Sequence, residues 1–261
     1  MISGKTKTVV HLAHPADHLR TPGFFNARAK ELGHDIVLVP WDVAPEDLGK
    51  TWQMLRKTNN LAGVVVTIPH KETVAGLCDT LEDEAIALDV CNVARRMPDG
   101  RFHGAMFDGV GLTEGLISQG HDISGKHALL VGAGGAATAI AHALAGRGVA
   151  SLRLANRTHA KAEALAASVA ARFPDLDVQA AAADATGSDL IVNGTSLGMH
   201  AGEPLPVPMN TIQENAVVAE VVMQPDETEL LRQARDRGAM IHKGVHMIRS
   251  QIDLLIEHLT G

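Results

Sequence analysis

The 261-residue sequence contains no tyrosine, only five phenylalanines and two tryptophans, so aromatic residues make up just 3% of it. The missing tyrosine excludes the short-chain dehydrogenases, whose mechanism needs a tyrosine as proton donor. Cysteine is nearly absent too, with Cys78 and Cys91 the only two. They supply no disulfide framework, fit a reducing compartment, and are too few for the sites of a zinc alcohol dehydrogenase. No apolar run approaches the roughly 18 residues of a membrane span. The opening stretch MISGKTKTVVHLAHPADH has neither a long apolar h-region nor a small-residue cleavage site. The expectation is a cytoplasmic protein with no membrane partner. A basic excess is missing as well: 30 Asp+Glu against 23 Lys+Arg give −7, which argues against nucleic acid. The 14 histidines show no H-E-x-x-H spacing, and Pro15 interrupts any helical His14–His18 pair. No metal site is expected, and the histidines read as mostly surface or polar-network residues.

What is present describes an ordinary globular protein, 46% apolar and 20% charged, long enough for one large domain or two modest ones. Short apolar runs alternate with Ala/Leu-rich stretches, which predicts α/β. Strands are expected at 7–11, 35–39, 63–67, 128–131, 152–155, 189–192 and 217–221. Helices are expected at 24–33, 46–58, 71–78, 135–147, 159–173, 227–237 and 245–259. Composition shifts near residue 122, from polar, His-rich stretches to a compact strand–glycine–helix unit. The domain joint is placed at about 104–112, around GAMFDGVGL. The first domain is expected to comprise 1–107 plus 243–261, with the last helix packing back on it, and the second 108–242.

Two stretches carry chemistry. In VVVTIPHKETV, β-branched residues run into Thr67 and place Lys71 just past a strand tip. Lysine is rarely buried unless paired, so a solvated loop residue is the plain alternative to a catalytic cation at the carboxyl end of a strand. In HALLVGAGGAATAIAHAL, a strand, a turn and a helix follow in order, and Gly132-x-Gly134-x-x-Ala137 fits the dinucleotide fingerprint. Gly132, Ala133, Gly134, Gly135 and Ala136 would bring backbone N–H groups and a helix N-terminus to a pyrophosphate. The next strand ends at Asn156-Arg157-Thr158, where an NAD enzyme carries an acid on the ribose. An arginine and a hydroxyl there would hold a 2′-phosphate, so NADP is the expected cofactor.

Together these motifs resemble the shikimate dehydrogenase family nearly end to end. The similarity runs through Val66-Thr67-Ile68-Pro69-His70-Lys71, Asp89 to Val93, Gly132 to Ala136, Asn156 to Ala162, Asp189 to Met199, and Gly244, Met247 and Gln251. The resemblance implies a two-domain α/β protein, with an N-terminal substrate domain and a C-terminal Rossmann-like NADP-binding domain, and substrate between them. It implies reversible, NADP-dependent oxidation of a secondary alcohol on a cyclic polyol acid, a place in aromatic amino acid biosynthesis, and a monomer or homodimer. Lys71 and Asp108 would flank the reacting hydroxyl, with Thr21, Thr67, Asn92 and Gln251 on the substrate. Thr195, Met199 and Gly244 would join the cofactor set. The chemistry agrees: oxidising a carbinol needs a group that takes its hydroxyl proton and returns it in reverse, which a lysine held by a carboxylate can do. Alone, Asp108 would also fit a turn residue before Gly109; beside Lys71 and the matching frame, the catalytic reading is favoured.

The departures gather on the substrate side. Family members open with G-x-P-x-x-H-S-x-S-P, where two serines hold the substrate carboxylate. Here Thr21 keeps one hydroxyl and Leu19 replaces the other. Val65 stands where the family has an asparagine for ring hydroxyls, N-T-D becomes Met106-Phe107-Asp108, and Met223 replaces a tyrosine. Each change swaps a polar group for an apolar one. This points to a substrate less polar than shikimate, or differently charged. A slightly drifted shikimate dehydrogenase, with Arg20, His14 or His18 on the carboxylate, is one alternative. A non-catalytic NADP(H)-binding regulatory protein is another, against which the retention of both Lys71 and Asp108 argues. A folate-type methylene dehydrogenase fits the N-R-T and G-x-x-M-x-x-x-Q elements less well.

Overall fold

The computed structural model describes residues 2–261. The chain divides into two compact units, one running to Phe107 and resuming at Gln251–Gly261, the other comprising Asp108–Ser250. Residues 243–250 fall on the second side of this division, where Met247 is part of a buried core.

The first unit contains β1 (Lys7–Ala13), α1 (Thr21–Glu31), β2 (Ile36–Asp42), α2 (Leu48–Arg56), β3 (Leu61–Val66), α3 (Lys71–Leu77), β4 (Thr80–Leu81), α4 (Asp83–Leu88), β5 (Val93–Arg96) and β6 (Phe102–Ala105). Its six-stranded sheet has the order β2-β1-β3-β5-β6-β4. Strands β1, β2 and β3 run parallel, and β5 is antiparallel to both β3 and β6. Strand periodicity sends alternate side chains to opposite faces. Val10, Leu12, Val64 and Val66 enter one core with Leu48, Trp52, Leu55 and Phe102. Val9, His11, Gly63 and Val65 therefore face the other way. A Cβ at Gly63 would lie 2.5 Å from Leu259, so the chain's last helical turns cover that second face.

The second unit contains α5 (Asp108–Ser118), β7 (His127–Val131), α6 (Gly135–Gly146), β8 (Ser151–Ala155), α7 (His159–Arg172), β9 (Asp177–Ala180), β10 (Leu190–Asn193), β11 (Val217–Glu220), α8 (Glu229–Asp236) and β12 (Met240–His242). Helix α9 (Val245–Thr260) begins in it and ends in the first unit. The six strands are all parallel, in the order β12-β11-β10-β7-β8-β9. Both faces are buried: Ala128, Leu130, Leu190, Val192, Val217 and Ala219 enter one core. Leu129, Val131, Ile191 and Val218 enter the other. Burial on both faces is why these strands read as continuous apolar runs. The first strand of the unit lies beside the fourth, so the order reverses between β7 and β10, the switch point at which doubly wound sheets bind nucleotides.

Helix α5 is not among the expected helices, and it rules out the alternative of Asp108 as a turn residue, since Asp108 is its first residue. Its sequence DGVGLTEGLIS carries three glycines, each roughly 1 kcal/mol unfavourable in a helix. Close packing explains two of them. A Cβ at Gly109 would sit 2.4 Å from the Ala139 carbonyl oxygen on α6, and one at Gly115 would sit 3.2 Å from the His246 backbone. Four of the fourteen histidines, His11, His70, His142 and His242, are buried, while the other ten are exposed or half-buried, in keeping with mostly surface and polar-network positions. Among the described residues, no helix is long and apolar enough to cross a membrane.

Candidate active site

At the switch point the backbone does the work. Gly132 has φ 121°, and a Cβ there would press within 2.9 Å of the Gly194 carbonyl oxygen. Only glycine fits both conditions. The Gly132 N–H donates to Ala155 at 2.7 Å and the Gly194 N–H to Val131 at 2.8 Å, tying the turn to the ends of its neighbouring strands. Ala133 follows in a half-buried position, Gly134 is the extended N-cap of α6, and Gly135 and Ala136 form its first turn. A Cβ at Gly134 would meet nothing within 4 Å, so its backbone is open to a ligand at the helix N-terminus. Asn156, Arg157 and Thr158 follow β8 directly, and Arg157 and Thr158 are exposed. The Asn156 side chain donates to the Thr158 carbonyl at 2.9 Å, shaping this turn, and Thr158 is the N-cap of α7.

The loop after β10 is built by Asn193, which the Asp189–Met199 motif contains but to which sequence reasoning gave no role, and by Glu203, which it missed. Asn193 is fully buried, and its Oδ1 accepts from the Thr195 N–H at 3.1 Å and the Thr195 hydroxyl at 2.6 Å. Its Nδ2 donates to Leu197 at 2.9 Å. Glu203 accepts from the Gly198 and His200 N–H groups at 2.8 and 3.1 Å, which pulls its carboxyl below the usual range. Thr195 and Met199 thus sit on a loop pinned at both ends. Gly244 is buried where a Cβ would meet the Val222 carbonyl oxygen at 2.3 Å, next to half-buried Met223.

Glu220, at the end of β11, is fully buried and accepts from the Thr228 hydroxyl at 2.8 Å. Burial pushes its pKa from 4.5 up to about 7, against the lowering pull of the Thr228 bond and of nearby Asn193. The fold therefore holds this proton more tightly than the unfolded chain does. The associated stability is complete below pH 4.5 and is lost as pH rises through about 7. At 1.36 kcal/mol per unit the change is on the order of 3 kcal/mol. Glu220→Gln should remove this pH dependence and raise the melting temperature above the parent's by several degrees at pH 8, with little gain at pH 5, as thermal unfolding monitored by circular dichroism would show.

In the first unit, Thr67 follows β3, its N–H donating to Leu12 at 3.0 Å, and its carbonyl accepts from the His70 N–H at 2.9 Å. The His70 ring bonds the Val43 carbonyl at 2.8 Å, fixing the turn that starts α3. Lys71 opens that helix and is only 8% exposed. Its carbonyl accepts from the Cys91 N–H at 3.1 Å, which links it to the loop carrying Asn92. Asn92 donates to Gln251 Oε1 at 2.9 Å and accepts from the Phe107 N–H at 3.0 Å. Two residues expected to touch substrate are thus joined across the fold of this unit. Thr21 is buried at the start of α1, Leu19 is half-buried before it, and Val65 is 4% exposed on β3. Arg20 and His14 are exposed, and His14 is paired with Asp42 at 2.7 Å. Asp108, 3% exposed at the N-terminus of α5, opens the second unit, where the helix dipole favours a carboxylate.

His11 was not singled out from the sequence. It is 2% exposed on β1, and its Nδ1 has no hydrogen-bond partner among the described residues. Burial first, then the nearby Lys71 and His18 charges, depress its pKa to about 3, so the ring is neutral.

Comparison with known proteins gives two matching family models: shikimate dehydrogenase substrate binding domain over residues 12–94, and shikimate / quinate 5-dehydrogenase over residues 116–200. A shikimate dehydrogenase (NADP(+)) from Rubrobacter xylanophilus is 37% identical over 254 residues, covering 96% of this chain and 89% of that protein. A crystal structure of shikimate dehydrogenase in complex with NADP+ matches with a TM-score of 0.91 and 31% identity, over 100% of this chain and 92% of that one. The ligand-free 5-ketofructose reductase of Gluconobacter sp. strain CHM43 matches with a TM-score of 0.84 and 26% identity, over 99% and 94% of the two chains. The chain belongs to the shikimate dehydrogenase family, the one its motifs resemble.

Proposed function

We propose that this chain, an NADP-dependent oxidoreductase, interconverts a cyclic secondary alcohol and its ketone, with a substrate less polar than shikimate or differently charged. Bound NADP(H) supplies or accepts the hydride. Lys71 takes the hydroxyl proton when the alcohol is oxidised and returns it to the carbonyl oxygen in the reverse step. Asp108 orients the same hydroxyl, and the Asn92–Gln251 pair and Thr67 hold the ring beside it. Arg157 and Thr158 bind the 2′-phosphate, Gly132 to Ala136 cradle the pyrophosphate, and Thr195, Met199 and Gly244 border the nicotinamide.

One observation carries the altered specificity: the groups for a reacting hydroxyl are kept, while a polar contact is lost at a buried position. Val65 is 4% exposed, so a substrate hydroxyl facing it would find neither an asparagine nor water. A buried, unpaired oxygen costs about 1–3 kcal/mol, and Leu19 and Met223 remove further partners. The 5-ketofructose reductase among the similar structures supports the view that this fold accommodates other polyol-derived ketones.

Steady-state kinetics with NADP+ against shikimate, quinate and a panel of less hydroxylated cyclic alcohols provides the test. At least one panel alcohol should exceed shikimate about tenfold or more in kcat/KM, the ratio that about 1.4 kcal/mol sets. Turnover of shikimate with a micromolar KM, above every other alcohol, overturns the altered specificity. NADPH binding without turnover of any alcohol or ketone favours the regulatory reading instead.

A further inference from the structure

The polar contact missing at Val65 has a counterpart on the neighbouring strand. In the parallel pairing of β1 with β3, His11 lies directly opposite Val65. Side chains opposite one another on adjacent strands share a face, and here it is the face turned away from the Val10–Leu12–Val64–Val66 core. An imidazole in the middle of a buried strand is chemically out of place unless something bonds it, because buried polar atoms in native proteins nearly always have partners. His11 is 2% exposed, and its Nδ1 has none among the described residues.

We propose that His11 is a substrate-binding residue that supplies, from the adjacent strand, a hydroxyl contact at a different ring position from the one an asparagine at position 65 would make. This deepens the dehydrogenase reading and rests on it, since it takes the neighbourhood of Val65 and Lys71 as the substrate site. A neutral imidazole suits this role because it offers one donor and one acceptor, as an amide does, and adds no charge beside Lys71. The depressed pKa of His11 agrees, because burial first and then the neighbouring Lys71 and His18 disfavour its protonation. The ligand class is a cyclic alcohol carrying a second hydroxyl or an ether oxygen beside the reacting carbon. The exchange of Asn for Val together with a histidine next to it moves the bonding atom by one strand, about 4.8 Å, and so changes which ring position is read.

The test uses His11→Val, Val65→Asn and the double variant in the full chain, with shikimate and the best panel alcohol as probes. His11→Val should raise KM for the best substrate at least tenfold, change kcat less than threefold, and leave the NADP+ dissociation constant within twofold of the parent. In the double variant, the restored asparagine should lower KM for shikimate at least fivefold relative to His11→Val alone. An unchanged KM in His11→Val overturns the proposal. So does a parallel loss of turnover and NADP+ binding, or a KM equally raised in the single and double variants, since His11 would then serve only the fold. Calorimetric titration of shikimate into the NADP+ complex gives the same comparison through dissociation constants. If Lys71→Ala is inactive while His11→Val behaves as the parent, only the His11 assignment falls. If the parent turns over and binds no probe, the underlying reading fails with it.

Discussion

Lys71→Ala should lower kcat by about a thousandfold or more while NADPH binds with unchanged affinity. The magnitude follows from the step assigned to Lys71, since general acid–base transfer by a positioned side chain contributes roughly 10²–10⁴-fold. The position supports the upper part of that range. Lys71 is 8% exposed at the first residue of α3, held through its carbonyl by the Cys91 N–H, so bulk water is poorly placed to substitute for the amine. Lys71→Arg is the informative companion. It keeps the cation but cannot surrender a proton near neutral pH, so it too should be inactive. An arginine variant retaining a tenth or more of parental kcat would mean that Lys71 acts only through its charge. The cofactor dissociation constant, read from nicotinamide fluorescence, separates lost chemistry from lost folding.

Arg157→Asp should invert the cofactor preference. Arg157 is exposed immediately after β8, the strand whose end is tied to the glycine turn through the Gly132–Ala155 bond. In the proposed role its guanidinium and the Thr158 hydroxyl bind the 2′-phosphate, and charge-assisted bonds of this kind are among the stronger ones in proteins. Replacing the cation by a carboxylate removes the attraction, adds repulsion, and provides an acceptor for the ribose 2′-hydroxyl of NAD. The KM for NADP+ should rise about a hundredfold, while that for NAD+ stays level or falls. The effect on NADP+ should shrink as salt screens the exposed charges. An NADP+ KM within threefold of the parent would leave Arg157 an ordinary surface arginine.

The parts of the molecule legible in the sequence are those where local chemistry and periodicity agree. The apolar runs of β7, β10 and β11 are buried on both faces, and the strand–glycine–helix order at β7 and α6 needs glycine at 132 for reasons that a motif captures. Strands β5, β6, β9 and β12 escaped because VARR, FHGA, DVQA and MIH are short and broken by polar residues. Helix α5 escaped because its glycines argue against a helix locally and serve packing that only the tertiary structure reveals. The same limit applies to the site. Lys71 stood out as a cation after a β-branched run. Asn92 and Gln251 entered the reading only through family resemblance, and the bond between them, across 159 residues, is visible only in the structure. His11 and Glu220 lay hidden inside strands whose pattern was read as apolar, and only register and burial bring out their chemistry.

Isotope transfer addresses the central claim most directly. The protein is incubated with NADPH carrying deuterium at the reactive C4 position together with 3-dehydroshikimate or a related cyclic ketone, and the alcohol formed is analysed by mass spectrometry. One deuterium on the new carbinol carbon, present with the parent and absent with Lys71→Ala, is the predicted result. NADPH that binds but delivers no label to any ketone, or a Lys71→Ala variant that delivers it as fast as the parent, would contradict the account.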